Sequence, residues 1–95
     1  MTLFEAIRDL DSLDEESTIY AAEPWTADSQ AIVMPQPDDG RLPDEARKLG
    51  FEYFLEVWIA REVLQDWVEW VESLNAKPTL QMKCARVIEY AVNDA

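Results

Sequence analysis

The sequence predicts an α+β domain in which a three-stranded, mostly antiparallel sheet is packed by an N-terminal helix and two C-terminal helices. In the first half, short runs rich in β-branched and aromatic residues are separated by turn-forming segments. The second half contains two segments whose apolar residues recur at helical spacing. Because 95 residues is an ordinary length for one domain, we predict a single domain spanning 1–95.

The helices are predicted from capping signals and periodicity. Thr2 and Glu5 have the spacing of a capping box, which starts the first helix. In 59–74 the apolar residues occupy about half of the helical circle, which is wider than one packing stripe. We therefore expect this helix to contact both the sheet and a second helix. The last helix is predicted to follow Thr79, with Cys84 on its apolar side.

Three strands are predicted, at 18–22, 31–34 and 51–58, and a short helix is predicted at 44–49. The third strand is the most regular. Its predicted core face consists of Phe51, Tyr53, Leu55 and Val57. Its other face, which we expect to be only partly covered, consists of Glu52, Phe54, Glu56 and Trp58.

The charge of the chain is far from neutral. Twenty acidic residues against eight basic ones give a formal charge of −12. Such a field repels nucleic acid and anionic membranes and favours encounter with basic partners. The first residues lack a secretory signal pattern, and no stretch approaches a membrane span. We expect a soluble, cytoplasmic protein that binds neither nucleic acid directly nor membranes; the alternative is that the acidity serves solubility alone.

The sequence is poor in histidine and cysteine, two residue types that are common in catalytic and metal sites. It contains no histidine, and Cys84, its single cysteine, lies on the apolar side of a predicted helix, as a buried structural residue would. Residues 37–40 lack the spacing of a calcium loop. We therefore expect no enzymatic activity, no cofactor and no metal.

Two surfaces are candidate partner-binding sites. The first is the acidic face of the 59–74 helix, formed by Glu62, Asp66 and Glu69, with Glu72 beside it. Carboxylates three and four residues apart repel each other by about 0.2–0.5 kcal/mol per pair, a cost that a cationic partner would relieve. The alternative is an ordinary solvated face.

The second candidate surface combines the loop after the first strand with the outer face of the third strand. Its members are Glu23, Trp25, Glu52, Phe54, Glu56 and Trp58. Tryptophan is a preferred interface anchor, and tryptophan beside carboxylates suits an arginine-rich partner. The alternative is that Trp25 folds back over the sheet.

Three segments resemble a family of short acidic bacterial proteins of unknown function. They are 23–26 (EPWT), 54–64 (FLEVWIAREVL) and 90–95 (YAVNDA). The resemblance covers most of the chain and implies no activity or site residues. In size and charge the chain is also similar to bacterial immunity proteins and to phage-encoded inhibitors that imitate nucleic acid.

The sequence therefore predicts a small acidic binding or inhibitor module that recognises a basic protein surface, such as that of a nuclease toxin or a nucleic-acid-handling complex. Two alternatives stay open. One is a self-associating structural domain that forms a homodimer through spare apolar surface. The other is a small enzyme with carboxylate-only chemistry.

Overall fold

The structure is a computed structural model and describes residues 1–93. Its elements are α1 (Leu3–Arg8), a 3-10 turn (Leu10–Ser12), β1 (Ser17–Ala21), β2 (Ala31–Pro35), α2 (Asp44–Leu49), β3 (Glu52–Glu56), α3 (Val57–Ser73) and α4 (Leu80–Asn93). The predicted α+β class and the order of its elements are confirmed. No helix in this part of the chain has the length and apolarity to cross a bilayer.

The sheet has the strand order β2-β1-β3, and both pairings are antiparallel. All five residues of the central strand β1 are buried, because both faces of the sheet are covered. The helices α1, α3 and α4 close the main core on one face. On the opposite face, α2 and its flanking segments cover a smaller cluster around Tyr20, Ala46 and Phe51.

The third strand is shorter than predicted. It ends at Glu56, and α3 begins at the next residue, so Val57 and Trp58 belong to the helix. The prediction that both residues lie in a strand is wrong. The sequence does not mark this boundary, because the strand and the helix join directly with no glycine or proline between them.

A bulge also changes the faces of β3. Ile19 pairs with Leu55, but its neighbour Tyr20 pairs with Tyr53, so Phe54 has no partner position. An extra residue of this kind interrupts the alternation of side chains. Phe54 and Leu55 are therefore both fully buried, at 0% exposure. The prediction that Phe54 lies on a partly covered outer face is wrong.

Helix α3 contacts both the sheet and α4, as its wide apolar arc predicts. Val57, Ala60 and Val71 are its buried residues. Near its C-terminal end, however, Trp70 and Leu74 remain exposed. The apolar arc of α3 is therefore wider than the surface that the sheet and α4 cover.

The capping box at the start of α1 is confirmed. The Thr2 hydroxyl accepts a hydrogen bond from the backbone N–H of Glu5 (3.1 Å), and the Glu5 carboxylate accepts one from the backbone N–H of Thr2 (2.8 Å). The backbone hydrogen bond from Thr2 lowers the pKa of Glu5. The reciprocal bonds fix the chain direction at the entry to α1.

Tyr20 places a hydroxyl in the smaller core with no partner of full hydrogen-bond geometry among the described residues, although the side chain of Thr18 is close enough to act on its pKa. The side chain is 1% exposed, and burial raises the pKa of its phenol. An unsatisfied buried polar group costs about 1–3 kcal/mol. Tyr20→Phe is therefore expected to leave the free energy of unfolding unchanged or to raise it by up to about 1 kcal/mol, as measured by urea unfolding.

Tyr53→Phe is the matched control, because the Tyr53 hydroxyl donates to the Glu56 carboxylate at 3.4 Å. That change should lower stability slightly. A clear loss of stability in Tyr20→Phe would show that its hydroxyl has a partner after all.

Candidate functional site: an acidic groove at the start of α3

An acidic groove of about 670 Å³ opens on the surface at the start of α3. It is lined by Glu15, Glu16, Glu56, Trp58, Arg61, Glu62 and Gln65. Four carboxylates thus share one groove with a single guanidinium. We call this set of residues the acidic groove.

Strand pairing brings the two acidic segments of the groove together. Glu56 lies opposite Thr18 in the β1–β3 ladder, so the residues that precede β1 run beside the start of α3. Glu15 and Glu16 are in that preceding segment. On α3, Trp58 and Glu62 are one turn apart and project from the same side of the helix.

Arg61 links the start of α3 to the segment that precedes β1. Its guanidinium donates hydrogen bonds to the backbone carbonyls of Leu10 (3.1 and 3.2 Å), Asp11 (3.2 Å) and Leu13, and it lies 3.5 Å from the carboxylate of Glu15. The positive charge of Arg61 is therefore already engaged with the backbone and with one carboxylate.

The remaining carboxylates lack cationic neighbours. Within residues 1–93, no lysine or arginine nitrogen lies within 4.0 Å of the side-chain oxygens of Glu16, Glu56 or Glu62. Trp58, in the same groove, is 46% exposed although it is large and apolar. The groove thus presents unpaired negative charge beside an accessible aromatic ring.

The first predicted surface is present on α3 and is continuous with the groove at Glu62. Asp66 and Glu69 are exposed on the next turns of the same side, and Glu72 is exposed near the end of the helix. None of the four forms an ion pair with the described residues.

The second predicted surface is divided by the fold. Trp25 is half-buried: its ring meets the Phe54 ring edge to face, with the centroids 5.0 Å apart, and its indole N–H donates to the carbonyl of Ala21 at 3.3 Å. Trp25 therefore covers the core, which is the alternative interpretation of this residue. Glu23 is exposed in its loop, and Glu52 is exposed at the opposite end of β3 from the groove.

Sequence reasoning missed four residues of the groove, namely Glu15, Glu16, Arg61 and Gln65. Glu15 and Glu16 belong to the acid-rich segment 11–17, whose composition indicates only the end of the first helix. Arg61 is the only basic residue in α3, a signal that could have marked it as structurally engaged.

No group of three or more histidine, cysteine or acidic residues within 1–93 is arranged to hold a metal ion. Cys84 is buried at 2% exposure, as predicted. Burial, with a smaller contribution from Asp28, raises the pKa of its thiol.

The Cys84 thiol is expected to react with a disulfide reagent at least about tenfold more slowly in the folded protein than in urea, because the thiolate is the reactive form. The raised folded pKa also means that stability falls as the pH rises above the unfolded thiol value of about 8.5. Thiol-release kinetics and unfolding curves between neutral and alkaline pH test both effects. Equal rates in the folded and unfolded states would contradict the burial of this side chain.

Comparison of the chain with protein-family models, with curated proteins and with solved structures finds no significant match. Fold and groove together define a class, an acidic α+β domain with a carboxylate-lined surface groove. The resemblance to short acidic bacterial proteins stays a prediction.

Proposed function

We propose that this protein is a cytoplasmic binding or inhibitor module whose acidic groove receives arginine and lysine side chains from a basic protein surface. One observation carries the proposal: the carboxylates of Glu16, Glu56 and Glu62, which have no cationic partner among the described residues, line the same groove as the exposed ring of Trp58. Arginine bonds a carboxylate through two parallel N–H donors and also stacks on tryptophan. The groove offers both modes of contact side by side.

Long-range electrostatics support the same partner. A net charge of −12 attracts a basic protein before contact and speeds association, most strongly at low ionic strength. Proteins that handle nucleic acid carry basic surfaces, because phosphate contacts supply much of their affinity. A nuclease toxin or a nucleic-acid-handling complex is therefore the partner class we propose.

The test uses hexa-arginine peptide as a minimal probe of the groove. We expect Glu56→Gln/Glu62→Gln to raise the dissociation constant by about tenfold at low salt, because two carboxylates that would contact the peptide lose their charge. The matched control is Glu45→Gln/Glu52→Gln, which removes the same charge from exposed positions outside the groove.

The control should bind the probe within about twofold of the unmodified protein. Isothermal titration calorimetry at low and high salt measures both effects, and the affinity should weaken as salt is added. Equal losses in the two double variants would mean that total charge governs binding and that the groove has no special part in it.

Self-association is a second candidate function. The observation that favours it is the exposure of Trp70 and Leu74, which are 60% and 59% accessible. The charge of −12 opposes it, because two copies repel each other. Sedimentation velocity at several protein concentrations separates the two candidates, since a strict monomer contradicts self-association.

A further inference from the structure

A cavity of about 390 Å³ lies where α1, the 3-10 turn, α3 and α4 meet. Its lining includes three cationic side chains, Arg8, Arg61 and Lys83, and one acidic side chain, Asp11. The whole chain carries twenty acidic and eight basic residues, so the charge balance of this lining is the reverse of that of the chain. We call this space the three-helix cavity.

The uncharged part of the three-helix cavity is mainly apolar. Ile7 and Leu10 contribute buried side chains, Leu64 and Val68 of α3 are half-buried, and Leu80 at the start of α4 is 41% exposed. Cavities that combine apolar walls with a few charged groups are typical of small-molecule sites, whose volumes run from about 300 to 1,000 Å³. The three-helix cavity has that composition and that size.

Lys83 is a cation of this cavity without an acidic partner among residues 1–93. It is half-buried on α4, and no carboxylate oxygen in that range lies within 4.0 Å of its Nζ. Asp11 lines the same cavity but stays beyond that distance. Partial burial of an ammonium costs free energy when no counter-charge is near, and an anion in the cavity would offset part of that cost.

The two arginines of the cavity differ in what they can offer to an anion. Arg61 is already engaged by backbone carbonyls and by Glu15. Arg8 pairs with Asp9 through Nε and Nη2, each at 2.9 Å, and its Nη1 takes no part in that pair. Arg8 can therefore offer Nη1 donors from α1 while Lys83 offers its ammonium from α4.

A second cavity of about 390 Å³, next to Trp25, has the same volume and a different charge. Phe4, Trp25 and Ile88 line it, none of the lining residues is a lysine or an arginine, and its one charged residue is Glu89. An apolar anion therefore has an electrostatic reason to prefer the three-helix cavity, whereas a neutral apolar molecule has none.

We propose that the three-helix cavity binds a small organic acid, a carboxylate with an apolar body of about six to eight carbons. The carboxylate accepts hydrogen bonds from Lys83 and Arg8, and the apolar body lies against Leu64 and Leu80. A monoanion fits better than a phosphate dianion, because Asp11 in the same lining repels a second negative charge. The site is separate in charge and ligand from the acidic groove, and the proposal does not depend on the partner of that groove.

Octanoate is the probe, and acetate and octylammonium are its controls, because acetate lacks the apolar body and octylammonium lacks the negative charge. Amide chemical shifts of isotope-labelled protein show where each molecule binds, at physiological salt so that long-range repulsion from the −12 charge is screened. We expect octanoate to shift Leu64, Val68 and Lys83 and to bind at least about tenfold more tightly than acetate. Octylammonium should leave these three amides unshifted.

Two results of this titration would overturn the proposal. One is the absence of octanoate shifts at the three-helix cavity. The other is a set of octanoate shifts concentrated at Phe4, Trp25 and Ile88, which would place the ligand in the second cavity and show that its charge is not recognised.

Lys83→Met tests the carboxylate contact, because methionine keeps an apolar stem and loses the charge. We expect the dissociation constant for octanoate to rise at least about fivefold. Lys48→Met is the matched control: it removes one exposed lysine from α2, on the other face of the sheet, and should bind within about twofold of the unmodified protein. Circular dichroism checks that both variants fold. Equal octanoate affinities in the two variants would overturn the proposal.

Leu80→Gln tests the contact with the apolar body. Leu80 is exposed enough for the variant to fold, and Leu49→Gln, which changes a 56% exposed leucine on α2, is its control. We expect Leu80→Gln to weaken octanoate binding at least about threefold and to leave acetate binding unchanged. The same octanoate affinity in both leucine variants would contradict the apolar contact and, with it, the proposed class of ligand.

Discussion

Replacing Phe54 by alanine should lower the free energy of unfolding by about 3–5 kcal/mol. The side chain is fully buried at the bulge in β3, and its ring packs edge to face against Trp25. Truncation removes apolar surface from the main core and leaves a cavity beneath the Trp25 lid. Because a small domain has only about 5–15 kcal/mol of stability in total, this loss would be a large fraction of it.

Urea unfolding followed by circular dichroism measures the change, and Phe54→Leu is the control. Leucine keeps most of the apolar volume, so it should cost less than about half as much as alanine. The intrinsic fluorescence of the protein, to which Trp25 and three other tryptophans contribute, should also shift towards that of solvated tryptophan in Phe54→Ala. A cost below about 1 kcal/mol would place Phe54 on the outer face, as simple strand alternation predicts.

Replacing Arg61 by methionine is expected to lower the free energy of unfolding by about 2–4 kcal/mol. Its guanidinium donates to the carbonyls of Leu10, Asp11 and Leu13, and it offsets the charge of Glu15. Methionine retains the apolar stem but no donor. The carbonyl of the buried Leu10 would lose both hydrogen bonds from Arg61 and keep only the one from the backbone N–H of Leu13, and the groove would gain uncompensated negative charge.

Arg61→Lys tests whether geometry as well as charge matters. Lysine keeps the charge but cannot present a planar fork to several carbonyls at once, so it should recover only part of the loss. Arg41→Met is the matched control, because the Arg41 side chain is 82% exposed and its ion pair with Asp39 is at the surface. That change should cost less than about 1 kcal/mol. Equal effects of Arg61→Met and Arg41→Met would contradict the anchoring role of Arg61.

Local patterns were sufficient to predict most of the fold. The capping box of Thr2 and Glu5 depends on residues three apart, and the apolar arc of α3 depends on periodicity within one segment. The position of Phe54 could not be predicted in this way. The bulge that buries it arises from the pairing of β3 with β1, which is a relation between distant segments.

The acidic groove, like the sheet, could be predicted only in part from local patterns. Composition indicated a surplus of carboxylates, and helical spacing placed Glu62 on a solvent-facing side of α3. The approach of Glu15 and Glu16 to Glu56 depends on the β1–β3 register and on the contacts of Arg61 with the preceding turn. Charge patterning reports how many acids the chain carries, whereas the tertiary fold decides which of them meet.

The central claim is that cations gather at the acidic groove rather than over the whole acidic surface. Titration of isotope-labelled protein with hexa-arginine peptide, followed by amide chemical shifts, tests it most directly. We expect the earliest and largest shifts at Glu15, Glu16, Glu56, Trp58 and Glu62, with weaker shifts along α3 at Asp66 and Glu69. Shifts of similar size at acids outside the groove, such as Asp38, Glu45 and Glu52, would contradict the claim.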